Sequence, residues 1–247
     1  MHHRISISFI CLIILISCEK VTENLSFTPA SDYFPLIKGK NIIYQLDSSV
    51  YLNLRTKKQI NSSIIRENVD SASIDNAGRL TFKITRSRRQ KDDTTKWNPI
   101  NTYLVAISNE TIEVIEENQR YIKLVSPIIA GSKWKGNAKI NTTGNPALLY
   151  LDNWDYTYTN VGSPSIFNNK NFPDCLTVLQ QNDTIGNPAN KNFYFEINYA
   201  KEIYARQIGL IFKEIIHESW QPPNGNNSTG YYEAGSYGLK FTIISHN

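Results

Sequence analysis

"EINYAKEIYARQIGLIFKEIIHESW", residues 196–220, decides the fold, because it reads well in two periods. As a helix, Ile197, Ala200, Tyr204, Ile208, Ile211 and Ile215 fall three and four apart and form one apolar face. As strands, Phe193, Phe195, Ile197, Tyr199, Ile203 and Ala205 alternate with polar neighbours. Ile208, Leu210, Phe212 and Ile216 resume the alternation after a short break. Periodicity leaves both readings open, and residue type separates them. β-Branched and aromatic side chains dominate, and Gly209 at mid-segment costs a helix about 1 kcal/mol relative to alanine. The segment is therefore predicted to be a β-hairpin.

The same signature extends outward. From Asp32 onward, short runs rich in Ile, Val, Tyr, Phe and Thr are broken by Asn, Gly, Asp and Pro. Strands are predicted at 42–53, 63–73, 79–88, 102–108, 111–116, 120–125, 133–140, 147–159, 175–181, 192–205, 208–220 and 237–245. Asp75-Asn76-Ala77-Gly78 suits a tight turn, and Pro222-Pro223-Asn224-Gly225 cannot continue a ladder. The predicted fold is all-β: an antiparallel, strongly curved sheet forming an open barrel or two-sheet sandwich, with few or no helices beyond the N-terminus. Residues 32–247 read as a single domain. Pro35-Leu36-Ile37-Lys38-Gly39 and Pro127-Ile128-Ile129-Ala130-Gly131 share a pattern of proline, two aliphatics, glycine and then a strand. This echo suggests two similar halves, 32–125 and 126–247.

The N-terminus reads separately. MHHR gives a positive start, and Ile5 to Ile16 form an apolar run too short to cross a bilayer, the pattern of a signal peptide over residues 1–17. Leu15-Ile16-Ser17-Cys18 is similar to the lipobox of bacterial lipoproteins. That resemblance implies that Cys18 is lipidated and becomes the N-terminus, with residues 18–31 a flexible tether reaching roughly 20 Å. Two acyl chains then hold the protein where one would be marginal. Removing 17 of the 247 residues leaves 230, enough for one large core. Losing Arg4 leaves 25 basic against 22 acidic side chains, a balance that points to no nucleic-acid partner. Cys175 is then the one remaining unmodified cysteine, so no internal disulfide is expected.

In order along the chain, "DYFPLIKGKNIIYQLDS", "VDSASIDNAGRLTFKITRSRR", "YIKLVSPIIAGSKWKGNA", "LTVLQQ" and "EIYARQIGLIFKEI" resemble a family of uncharacterised lipoproteins from Bacteroidetes. The likeness spans nearly all the mature chain. It implies a lipid-anchored, mostly β exported domain and transfers no catalytic motif. The chain departs from the pattern at Ile42, where an aromatic is expected, and at Gln207, where a glycine is more usual.

Few residues offer chemistry. His217 and His246 are the only histidines past the signal, too few for a three-histidine metal site, and no HExxH or CxxC spacing occurs. No metal, cofactor or catalytic residue is assigned. Ala234-Gly235-Ser236-Tyr237-Gly238 resembles a nucleophile elbow but lacks a following carboxylate, so it reads as a turn. Cys175 reads as a buried filler. The basic run Lys83, Arg86, Arg88, Arg89 and Lys91 reads as a solvated strand face and loop.

The most suggestive stretch is residues 150–159, where Tyr150, Trp154, Tyr156 and Tyr158 share one strand parity with Asp152. Such rings either fill a core or stack on the CH faces of a sugar beside the carboxylate. Asp70-Ser71-Ala72, Asp93-Thr94-Thr95 and Asp183-Thr184-Ile185 resemble a short O-glycosylation tripeptide of Bacteroidetes, which marks Ser71, Thr94 and Thr184 as acceptors. The reading that results is a lipoprotein of the outer membrane, attached through its N-terminal lipid. It acts as a non-enzymatic binding or structural module with an envelope protein or glycan partner. The alternative is a glycan-acting hydrolase or carbohydrate-binding protein.

Overall fold

The computed structural model describes residues 28–93, 96–225 and 228–247. The signal segment 1–17, the lipidation site Cys18 and the acceptor Thr94 lie outside the described residues. The first meander is β1 (Asn41–Leu52), β2 (Lys57–Ile74), β3 (Leu80–Gln90), β4 (Asn98–Ile107), β5 (Thr111–Glu116) and β6 (Gln119–Val125). The second is β7 (Lys133–Lys135), β8 (Asp155–Phe167), β9 (Lys170–Ile185), β10 (Phe195–Ala205), β11 (Gly209–Gln221) and β13 (Tyr237–His246), with the short β12 (Tyr231–Tyr232) added on β11. Among the described residues no helix is long and apolar enough to cross a membrane.

All pairings are antiparallel, and each meander pairs its strands in sequence. The two meanders join where β1 runs against β13, from Ile42 opposite His246 to Ser48 opposite Leu239. At the far edges the sheet curls round on itself. Ile122 in β6 donates its N–H to the Gly136 carbonyl (2.8 Å), and the Trp134 indole N–H reaches the Ile122 carbonyl (2.8 Å). The Tyr158 hydroxyl completes this seam, bonding both the N–H and the carbonyl of Val125 at 2.7 Å. The result is a nearly closed antiparallel barrel, as the strand pattern predicts.

The two proline-glycine segments are the same turn. The Lys40 N–H bonds the Ile37 carbonyl (2.9 Å) and the Ser132 N–H bonds the Ile129 carbonyl (3.1 Å), with Gly39 at φ 86° and Gly131 at φ 83°. Each glycine then donates to the strand that follows, Gly39 to Val69 in β2 and Gly131 to Tyr158 in β8, both at 2.8 Å. A positive φ is the conformation that glycine adopts without strain.

The stretch 196–220 is a hairpin, with Phe195 opposite Trp220 and Ala205 opposite Gly209. A bulge at Ile203/Tyr204 accounts for the break in its alternation. The turn places Gln207 at φ 63°, where a glycine would sit more easily, and the Gln207 N–H is held by the Asp32 carbonyl at 2.7 Å.

Two sequence expectations need correction. Residues 147–159 are not one strand. Pro146–Leu151 forms a 3-10 helix, begun by Pro at its first turn and capped where the Asn145 side chain accepts from the Ala147 N–H. The chain then turns through Asn153 (φ 59°) into β8. The strand at 133–140 stops after three residues, because a side chain on Gly136 would meet the Tyr156 ring at 2.4 Å.

The barrel has two unlike ends. The chain comes in at residue 28 beside the starts of β1 and β3 and the ends of β6 and β10. A 3-10 helix there, Ala30–Tyr33, is bolted down by Ala30 N–H to Ser126 Oγ (3.1 Å), Tyr33 OH to Asp174 Oδ1 (2.7 Å) and Arg206 to Asp32 (2.8 Å). Phe34, Leu36 and Ile128 pack against the core from this end and close it. The opposite end is crossed only by the 136–154 connection.

Candidate functional site: the barrel interior

Alternation along antiparallel strands sends every second side chain inward, and in this barrel several of those positions carry charge. Glu67 on β2, Arg86 on β3, Glu116 on β5, Lys123 on β6, Glu202 on β10 and Lys213 on β11 all line one cavity of about 640 Å³. Arg86 clamps Glu67 through Nε (2.8 Å) and Nη2 (2.7 Å), and its Nη1 binds Glu116. Lys123 pairs with Glu202 at 2.7 Å and Lys213 approaches the same oxygen at 4.0 Å. Tyr103 donates to Glu67 (3.0 Å), Tyr204 to Glu202 (2.6 Å) and Asn101 to Glu116 (3.0 Å).

These charges satisfy one another. Burial pushes the Glu116 carboxyl up, but Arg86 and Lys213 outweigh it and hold it below the usual carboxylate range. Glu202 follows the same balance, with burial opposed by Lys123 and Lys213. For Arg86, burial pulls the guanidinium down, while Glu67, Tyr103 and Glu116 keep it above its ordinary value. Unpaired, any of these groups would cost several kcal/mol inside a barrel.

Toward the open end the lining turns aromatic and neutral. Tyr150, Trp154 and Tyr156 reach the cavity, joined by Tyr121 and Tyr237. Trp154 and Tyr156 are almost fully buried. Tyr150 stacks on His217 at 3.9 Å between ring centroids, and its hydroxyl meets that of Tyr237 at 2.7 Å. Asn198 commits its amide N–H to Glu196 (2.7 Å), so its oxygen must accept from His217 Nδ1 (2.7 Å). Burial lowers the His217 pKa, so the imidazole is neutral with its proton on Nδ1. Two buried amide atoms at the cavity, Gln180 Nε2 and Asn101 Oδ1, bond to no protein group.

The sequence-derived residues divide accordingly. Tyr150, Trp154 and Tyr156 come together at the cavity, whereas Tyr158 closes the β6 seam and Asp152 stands exposed outside, bonded to Thr142 and Asn153. Ser71 and Thr184 are exposed on β2 and β9. Ser236 spends its hydroxyl on the Ser219 N–H (3.1 Å), and burial pushes the Cys175 thiol up. Among the described residues no group of three or more His, Cys, Asp or Glu could hold a metal.

The basic run is not a solvated face. Arg86 lies inside the barrel, while Lys83 pairs with Asp70 at 3.2 Å and Arg89 lies over the Trp97 ring. Glu67, Glu116, Lys123, Gln180, Glu202 and Lys213 were not singled out by the sequence, though a signal exists. Glu202 sits on the apolar parity between Ala200 and Tyr204, and Arg86 sits between Ile84 and Arg88. A charge on the inward parity of a strand marks a polar interior.

No protein-family model matches the chain, and no curated protein matches it. Among solved structures it is similar to a Bacteroides fragilis protein described as exported and as having a YmcC-like fold. The identity is 11%, over 89% of this chain and 99% of that one, with a TM-score of 0.39. At that score the two superpose only loosely, and the fold and site described above rest on this chain's own geometry.

Proposed function

We propose that this protein is an exported lipoprotein, held in the outer membrane through Cys18, whose barrel binds a neutral, polyhydroxylated small molecule of the saccharide class without transforming it. The observation that carries this reading is the cavity. Its 640 Å³ fall within the roughly 300–1,000 Å³ of small-molecule sites, and its polar groups are of two kinds. Glu67, Glu116 and Glu202 are matched by Arg86, Lys123 and Lys213, so a charged ligand would meet no uncompensated partner. The groups left over are neutral: Gln180 Nε2 and Asn101 Oδ1, with the Tyr121 hydroxyl nearby. Hydroxyls both donate and accept, so a sugar can satisfy an amide N–H and an amide oxygen at once, while the rings of Tyr150 and Trp154 suit its CH faces.

Hydrolysis in the same cavity fits less well. A glycosidase needs one carboxyl raised enough to act as an acid, and Glu116 and Glu202 are both held low by their cations.

The test is calorimetry on the soluble domain with a panel of neutral mono- and disaccharides. Gln180→Leu should weaken the best of them about tenfold, the equivalent of one hydrogen bond of about 1.4 kcal/mol, with no loss of thermal stability. Binding confined to charged ligands, or affinity indifferent to Gln180, would contradict the proposal.

A further inference from the structure

The barrel's two ends suggest which way it faces. The end where the chain comes in is closed by the Ala30–Tyr33 helix and by Phe34, Leu36 and Ile128. The cavity opens at the other end, where Glu117 and Gln119 of the β5–β6 turn and Asn145 and Leu148 of the 136–154 connection line it. At the closed end the two matching turns each expose an aliphatic side chain, Ile37 at 66% and Ile129 at 45%. Both lie close to where the chain comes in. Ile37 is a few residues beyond the helix, and Ile129 is three residues beyond Ser126, which bonds the Ala30 N–H.

We propose that the closed end rests on the bilayer that holds Cys18, with Ile37 and Ile129 as its two contact points, so that the cavity opens away from the membrane. This rests on the lipid-anchor reading above. Ten residues separate Cys18 from Thr28. As a coil they reach about 17 Å on average, and fully stretched no more than about 35 Å. The strands of β10 and β11 are 11 and 13 residues long. At about 3.3 Å per residue, less the tilt of a barrel strand, the wall stands roughly 30 Å high. The open end also exposes apolar groups, Leu54 at 93% and Phe193 at 67%. To reach the same bilayer they would need the tether stretched nearly to its limit along the barrel wall. The closed end needs no such extension. Tethering at this range raises the effective concentration of membrane beside Ile37 and Ile129, so two modest contacts suffice. A ligand then arrives from the aqueous side and not from the lipid.

The experiment uses the full lipidated chain in phosphatidylethanolamine and phosphatidylglycerol vesicles containing a fraction of spin-labelled lipid. In a Cys175→Ala background, Ile37→Cys, Ile129→Cys and Leu54→Cys are each labelled with an environment-sensitive fluorophore. Because all three positions are exposed, the substitutions leave the fold intact. The expected result is at least twofold stronger lipid quenching at positions 37 and 129 than at 54. Equal or stronger quenching at 54, or no quenching at 37 and 129 in a chain that floats with the vesicles, overturns the orientation and leaves the anchor standing. A chain that fails to float overturns both.

Discussion

The two copies of the proline-glycine turn begin alike and end differently. After Gly39 the chain runs into the twelve residues of β1, paired on both sides, and Tyr44 is fully buried with its hydroxyl on the Leu210 carbonyl (2.9 Å). After Gly131 the chain holds a strand for three residues only. The position matching Tyr44 is Gly136, and the space its side chain would need is taken by Tyr156 from β8. Released from the ladder, residues 136–154 cross the barrel end and bring Tyr150 and Trp154 to the cavity. One seam is thus a long ladder and the other a short one finished by the side chains of Trp134 and Tyr158. The difference shows how a repeated framework acquires a site: the turn is kept, the strand after it is cut short, and the freed chain becomes the wall of a mouth.

Three substitutions probe that contrast, in decreasing order of effect. Trp154→Ala removes the largest buried side chain of the short seam's connection and is expected to cost about 3–5 kcal/mol in urea denaturation. A loss below about 1 kcal/mol would mean that the connection does not pack as described. Gly136→Ala forces a methyl group against the Tyr156 ring and should cost about 1–3 kcal/mol. Unchanged stability there would break the account of why β7 stops. Gly39→Ala and Gly131→Ala sharpen the likeness of the turns. Neither added methyl meets an atom within 4 Å, so each change should cost only the left-handed backbone strain of about 1–2 kcal/mol. Costs differing by more than about 1 kcal/mol would show that the turns are not equivalent.

How much was legible follows from how local each cause is. The hairpin at 195–221 was readable because β-branched residues and Gly209 act within a few positions, and the break in its alternation is the bulge at Ile203/Tyr204. Strand β5 was readable to the residue. The aromatic stretch misled in part, since Tyr150 and Trp154 share a parity that means nothing once Pro146 and Asn145 start a helical turn. The choice between core and platform for those rings could not be made from parity, because it depends on what the barrel encloses.

The sequence by itself determined the element type, the turns at Gly39 and Gly131, and the alternation that lets a sheet have an inside and an outside. It did so because backbone preference and strand period are properties of neighbouring residues. Only the tertiary structure decided that the sheet closes, that one end is plugged and the other open, and that the inward charges find partners. Lys123 and Glu202 are 79 residues apart, and Arg86 and Glu116 are 30 apart. Nothing local links them. A charge on the inward face is tolerable only when curvature brings its opposite within hydrogen-bonding reach, and that curvature belongs to the whole barrel.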